Sequence, residues 1–259
     1  MRLGMPTLIE YNTVLDNVKL AKELGLSFVE LNLDLPYCKL NDELKQLSLE
    51  NNIEFTVHLS EKLDVGELDN DLRVAYLKKI ETVIQKGAKL NIRKYNLHLD
   101  PGIHFSLPDR KIFIYEKYLD KYKRSLYESC VFLNGLAKKF DVEIMFENLK
   151  LPNYLKEGFM IVGSFERLFF TLDMGHDLKN NSGAEEFFLD YNSKKIKHVH
   201  IHDFDGKSDH IALGSGFLDV FKKMVLIRKL GVYAVIEVKE KDELVKSVEF
   251  LRNKKIVID

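Results

Sequence analysis

Eight short apolar or β-branched runs, each followed by a turn and then by a helical pattern, constrain this chain more than any other feature. The runs are RLGM near residues 2–5, SFVELNL ending at Leu33, IEFTVHL ending at Leu59, RKYNLHL ending at Leu99, Val142–Glu147, ERLFFTLD ending at Asp173, KHVHIH ending at His202, and VYAVIEV ending at Val238. Between them, apolar residues recur at helical spacing over 13–24, 41–50, 68–86, 113–139, 184–191, 217–230 and 242–253. Gly25, Gly87 and Gly231 stand at expected helix ends, and Asn41 at an expected N-cap. Strict alternation implies a parallel sheet, and a count of eight favours closure into a (β/α)8 barrel. The 259 residues suit one such domain spanning 1–259. An open doubly wound sheet is the alternative, but it gathers ligands at a single switch point.

The expected strands share a second property. Six of them end in an ionisable residue: His58, His98, Glu147, Asp173, His200 and Glu237. An ionisable group at the end of a buried strand is costly unless something pairs with it. In a parallel barrel the strand C-termini converge on one face, and that face carries the chemistry. A divalent cation would pair with the whole set. Glu147, Asp173, His200 and Glu237 form a mostly oxygen donor set that suits Mn²⁺, Mg²⁺, Co²⁺ or Zn²⁺. Taken singly, each has a plainer reading as a hydrogen-bonded carboxylate or imidazole at the barrel mouth.

Other residues carry weaker signals. His198, His200 and His202 alternate and so face the same side of their strand; His198 reads as a packed interior histidine, and His202 fits either role. Glu30 reads as structural or as orienting a neighbouring histidine. The basic and aromatic run Lys117–Arg124 reads as the solvated face of an outer helix. His104 and Phe105, after a DPG turn, fall in an expected site loop. Cys38 and Cys130 are isolated, so two reduced, buried thiols are expected. Lys plus Arg is 39 against 40 for Asp plus Glu, which removes any overall basic footprint for nucleic acid. With no apolar stretch of about 20 residues to span a bilayer and no secretory leader pattern at the start, a cytoplasmic, non-membrane protein is expected.

The chain resembles the xylose isomerase-like TIM barrels, which include sugar-phosphate isomerases and epimerases and the endonuclease IV enzymes. The likeness covers nearly the whole chain and is sharpest over Ile196–Asp219: a His three residues before an Asp (His200, Asp203), an Asp-Gly loop (Asp205, Gly206), then HxxLGxG at His210, Leu213, Gly214 and Gly216. DxxH at Asp173 and His176, FEN at Glu147 and IEV at Glu237 complete it. The resemblance implies a metal site of Glu147, Asp173, His200 and Glu237, with Glu147 and Glu237 also acting as the acid/base pair on a sugar or sugar phosphate through an enediolate. It implies substrate contacts from His176 and, at the barrel mouth, from His58, His98 and His210.

The same four histidines, His58, His98, His176 and His210, form a possible second metal site. The epimerases of this group carry a substrate-binding Arg where this chain has Gly206. The endonuclease IV likeness implies the alternative, a zinc-dependent abasic-site endonuclease acting on nucleic acid with three ions. There the expected ligand set is broken by Ser208, with Asp209 one residue away.

Overall fold

The protein is seen here as a computed structural model, which describes residues 1–256. Eight parallel strands close into a barrel: β1 (Arg2–Pro6), β2 (Phe28–Asn32), β3 (Glu54–His58), β4 (Lys94–His98), β5 (Glu143–Glu147), β6 (Leu168–Asp173), β7 (Ile196–Ile201) and β8 (Tyr233–Ile236). Around the barrel they run β1-β8-β7-β6-β5-β4-β3-β2. Every strand pairs with its sequence neighbours, and β8 closes on β1 with Arg2 opposite Tyr233. This is the expected (β/α)8 fold.

Register does the positioning. His98 lies opposite Glu147, Asp173 opposite His200, and His200 opposite Val235. The ionisable ends are therefore level, so their side chains meet over one face. Glu237 stands one residue past the end of β8, and His58, His98, Glu147 and Asp173 are the last residues of their strands.

The main outer helices are α1 (Val14–Glu23), α2 (Asp42–Asn51), α3 (Asn70–Lys89), α4 (Leu119–Phe140), α5 (Asn153–Gly163), α6 (Met174–Asn180), α7 (Ala184–Asn192), α8 (Val220–Leu230) and α9 (Lys241–Asn253). Thr13 caps α1 by accepting from the Asp16 amide, and Asp69 caps α3 by accepting from Asp71 and Leu72. Asn41 precedes α2 in extended geometry but makes no side-chain cap.

Several boundaries differ from expectation. The third helix continues through Gly87 instead of stopping there. Gly87 is buried against the Tyr95 hydroxyl, which a Cβ at that position would overlap, so the glycine serves close packing. The expected helix over 113–139 is a single turn, Ile114–Lys117, followed after Tyr118 by α4. The stretches that form α5 and α6 carry no helical expectation, because Gly158, Gly163 and Gly175 blur the pattern. Gly158 packs under the Tyr122 hydroxyl. Two small hairpins also decorate the site face: His104–Ser106 with Lys111–Phe113, and Asp203–Phe204 with Asp209–Ile211.

The basic run Lys117–Arg124 is a largely solvated face whose Tyr122 is fully buried, as expected for an outer helix. Cys38 and Cys130 are free and buried. Among the described residues no helix is long and apolar enough to cross a membrane.

Candidate metal centre

Glu147, Asp173, His200 and Glu237 converge at the barrel mouth. One ligand atom from each lies within 4.8 Å of all the others. His200 Nδ1 is 3.1 Å from Glu237 Oε2, 3.3 Å from Glu147 Oε2 and 4.0 Å from Asp173 Oδ2. Glu147, Asp173 and His200 are fully buried and Glu237 nearly so. Three carboxylates held this close in a dry site repel one another unless positive charge separates them.

The hydrogen bonds around the four are spent on holding them, and the atoms that face inward are left over. The Asn96 amide donates to Glu147 Oε2, and Thr171 Oγ1 in turn donates to Asn96 Oδ1 at 2.6 Å. Asp173 Oδ1 accepts from the His176 amide at 2.6 Å, which caps α6. Asn148 clamps the Asp173 backbone on both sides, accepting from its N–H at 2.9 Å and donating to its carbonyl at 3.0 Å. Lys239 Nζ donates to Glu237 Oε1 at 2.9 Å. Glu147 Oε1, Asp173 Oδ2, His200 Nδ1 and Glu237 Oε2 have no hydrogen-bond partner among the described residues. Buried polar atoms rarely go unpaired. Four from one small cluster, all donors of electron pairs, fit a divalent cation.

Three further groups adjoin this one; one of them, Glu30, His198 and His200, shares His200 with it. His58 and His98 meet Glu147, with His58 Nε2 at 3.4 Å from Oε2 and His98 Nε2 at 3.7 Å from Oε1. His58 Nδ1 lies 2.8 Å from the Leu59 carbonyl. A carbonyl only accepts, so a proton sits on Nδ1, and Nε2 faces Glu147. On the other side His176, His202 and His210 form a cluster. The four-histidine group expected as a possible second metal site thus divides. His58 and His98 belong to one cluster and His176 and His210 to another, because they rise from opposite sides of Glu147 and Asp173.

His202 joins the second cluster. It is fully buried, stacks on His210 at 3.9 Å between centroids, accepts the His210 amide on Nδ1 at 3.1 Å, and places Nε2 at 3.3 Å from Asp173 Oδ1. His210 itself has a positive φ of 54°. Its loop is held by Asp203, a buried carboxylate that accepts the amides of Phe204, Gly214, Gly216 and Leu218 at 2.8–3.0 Å. Ser208 and Asp209 lie outside that cluster; Asp209 pairs with Lys179 and with His210 Nδ1. His104 and Phe105 are exposed on their hairpin. His198 is buried beneath His200, as expected.

The electrostatics follow from burial and charge acting in opposite directions. Burial pushes the Glu147 carboxyl up, but His200 and His98 overcome it and hold it well below its ordinary range. Glu237 is likewise held low despite burial, by Lys239 and His200. Burial lowers His58, yet the hydrogen bond and charge of Glu147 raise it to about 9. Desolvation also works against a charged His200, but Glu147, Glu237 and Glu30 outweigh it and raise the imidazole well above its ordinary value. His210 falls to about 4 through burial. Without a cation, protons on imidazoles do the neutralising.

The sequence model of the xylose isomerase-like TIM barrel family matches residues 18–254. The chain belongs to that family. An uncharacterized protein of Methanocaldococcus jannaschii is 29% identical over 255 residues, covering 93% of each chain. Among solved structures, the apo form of 3-keto-D-glucoside 4-epimerase from E. coli superposes with a TM-score of 0.79 at 19% identity, covering 99% of this chain and 100% of that one. A Thermus thermophilus protein soaked with zinc chloride superposes with a TM-score of 0.70 at 23% identity, covering 98% of this chain and 97% of that one. At these identities the structural likeness establishes the fold.

Proposed function

We propose that this chain is a divalent-metal-dependent isomerase or epimerase of a sugar or sugar phosphate. The observation that carries the reading is the set of four unpartnered ligand atoms on Glu147, Asp173, His200 and Glu237. Family membership and the likeness to a keto-sugar epimerase support the substrate class. Mn²⁺, Mg²⁺, Co²⁺ or Zn²⁺ suits the donors. Such an ion, when bound, polarises a carbonyl and offsets charge building on its oxygen.

The chain's own groups would do the rest. Glu147 and Glu237 rise from strands three steps apart around the barrel and so address a substrate from different sides. Both are held in their ionised, proton-accepting form. One takes the proton from the carbon beside the carbonyl, and the electron pair moves onto the carbonyl oxygen to give an enediolate. Proton return to the same carbon from the opposite face epimerises it. Proton return to the former carbonyl carbon, with the hydroxyl proton shifted between oxygens, isomerises. His176, His58, His98 and His210 ring the ligands and would hold substrate hydroxyls. Each has some solvent exposure, unlike the fully buried His198, His200 and His202.

A second reading rests on the two flanking clusters. Three adjoining ligand groups, two of them sharing Glu147, would offer places for the three ions of a zinc-dependent abasic-site endonuclease. Multiple ions suit phosphodiester cleavage because they stabilise both attacking and leaving oxygens. The third group here is built from histidines, with Ser208 where that reading expects an Asp. Solvent-proton exchange into a ketose pool, dependent on added metal and abolished by Glu147→Gln, supports the isomerase. Metal-dependent nicking of a duplex with one abasic site, without ketose exchange, overturns it.

A further inference from the structure

We infer that Glu30 is the positioning residue for His200: it fixes which imidazole nitrogen faces the metal centre and locks the ring's direction. The inference rests on the metal reading of the site, and it concerns a carboxylate one layer beneath the ligands. Glu30 lies on β2 and is 2% exposed. β2 is separated from β7 by β1 and β8, so its side chain reaches His200 through the barrel interior. Its Oε1 accepts from His200 Nε2 at 2.8 Å. Its Oε2 accepts from Thr56 Oγ1 at 3.0 Å and lies 2.9 Å from His198 Nε2.

The consequence is a matter of donors and acceptors. A carboxylate oxygen accepts, and Glu30 Oε1 faces His200 Nε2 at 2.8 Å while Oε2 already accepts from Thr56. His200 must therefore carry its proton on Nε2. Nδ1 is left to point at Glu147 Oε2 and Glu237 Oε2, and it has no hydrogen-bond partner of its own among the described residues. Flipping the ring would bury an unpaired N–H and leave Glu30 without its partner, which is costly in a dry interior. Thr56 and His198 both flank the second carboxylate oxygen, so neither alone sets the carboxylate's direction. Partners of this kind typically alter metal affinity by roughly 10- to 100-fold when removed.

The test uses the full-length protein and the variants Glu30→Gln and Thr56→Val, with folding checked by circular dichroism. Zn²⁺ affinity is measured by competition with a chromophoric chelator, and Co²⁺-loaded protein is examined by visible absorption. The expected result is a roughly 10- to 100-fold weaker Zn²⁺ dissociation constant for Glu30→Gln with an altered Co²⁺ spectrum. Thr56→Val, which removes a neighbouring hydrogen bond but leaves the His200 contact, should stay within about threefold of wild type on the same scale. Wild-type affinity and an unchanged spectrum in Glu30→Gln overturn the assignment, as does an equal loss in both variants, which marks a packing effect. No Zn²⁺ uptake by the wild-type protein overturns the metal reading itself, a result distinct from either of these.

Discussion

Glu147→Gln should uncouple the protein's thermal stability from divalent metal. Glu147 contributes an oxygen to the central group and to the group with His58 and His98, so the substitution removes charge from both. A ligand at about 100 times its dissociation constant stabilises the folded state by about 2.7 kcal/mol. Unfolding entropy near 2.1 cal/mol/K per residue, over 259 residues, comes to about 0.5 kcal/mol/K. Saturating the wild type at that level should therefore raise Tm by about 5 °C. Breaking a buried charge partnership costs about 3 kcal/mol or more, a weakening of more than about 100-fold. The same metal concentration would then stabilise the variant by under about 0.5 kcal/mol, a shift of less than about 1 °C. The assay is a melting curve with and without millimolar Mn²⁺, Co²⁺ or Zn²⁺ after chelator treatment. Equal metal-induced shifts in wild type and variant would refute the reasoning, as would no shift in the wild type with any of these ions.

Three further outcomes follow from the same structure. Asp64 accepts from the Tyr115 hydroxyl and the Gly66 amide, and burial first of all pushes its carboxyl up to about 7. Because the folded state then holds a proton that the unfolded state releases, stability falls as pH rises from the ordinary carboxylate range toward 7; Asp64→Asn should stabilise the protein above pH 7 and have little effect near pH 4 in denaturant melts. Metal ligation needs free imidazole lone pairs, while His58 titrates near 9 and His200 is also raised. Proton stabilisation of the metal-free fold by these groups is present below their ordinary value and fades as pH rises through the raised one. Metal affinity should climb over that window with proton release, measurable by calorimetry in buffers of different ionisation enthalpy. Asp203→Ala strips four amides of their acceptor, so a loss of several kcal/mol in melts and a disordered His210 loop in amide exchange are expected.

The barrel and the ionisable residues at its strand ends were legible because buried parallel strands read as continuous apolar runs, and an ionisable terminus on such a run stands out. The four candidate ligands needed only their place in chain order. What stayed hidden depends on contacts across the barrel. That Glu30 orients a histidine is one of its two sequence readings, but nothing local names His200, 170 residues away, as that histidine. His202 looks like any alternating strand residue until the loop behind Asp203 folds back and stacks His210 on it. Helices α5 and α6 escaped notice because their glycines, which weaken a helical pattern, serve close approach: a Cβ at Gly175 would overlap the His202 ring. The four-histidine group divides between two clusters because chain order does not say on which side of Glu147 a given imidazole stands.

Whether one cation joins the four strand ends is decided by an anomalous-difference map from crystals soaked in Mn²⁺ or Zn²⁺. The expected map has a peak about 2.0–2.3 Å from oxygens of Glu147, Asp173 and Glu237 and from Nδ1 of His200. A map with no peak there, in crystals where the four side chains are ordered, would contradict the metal centre.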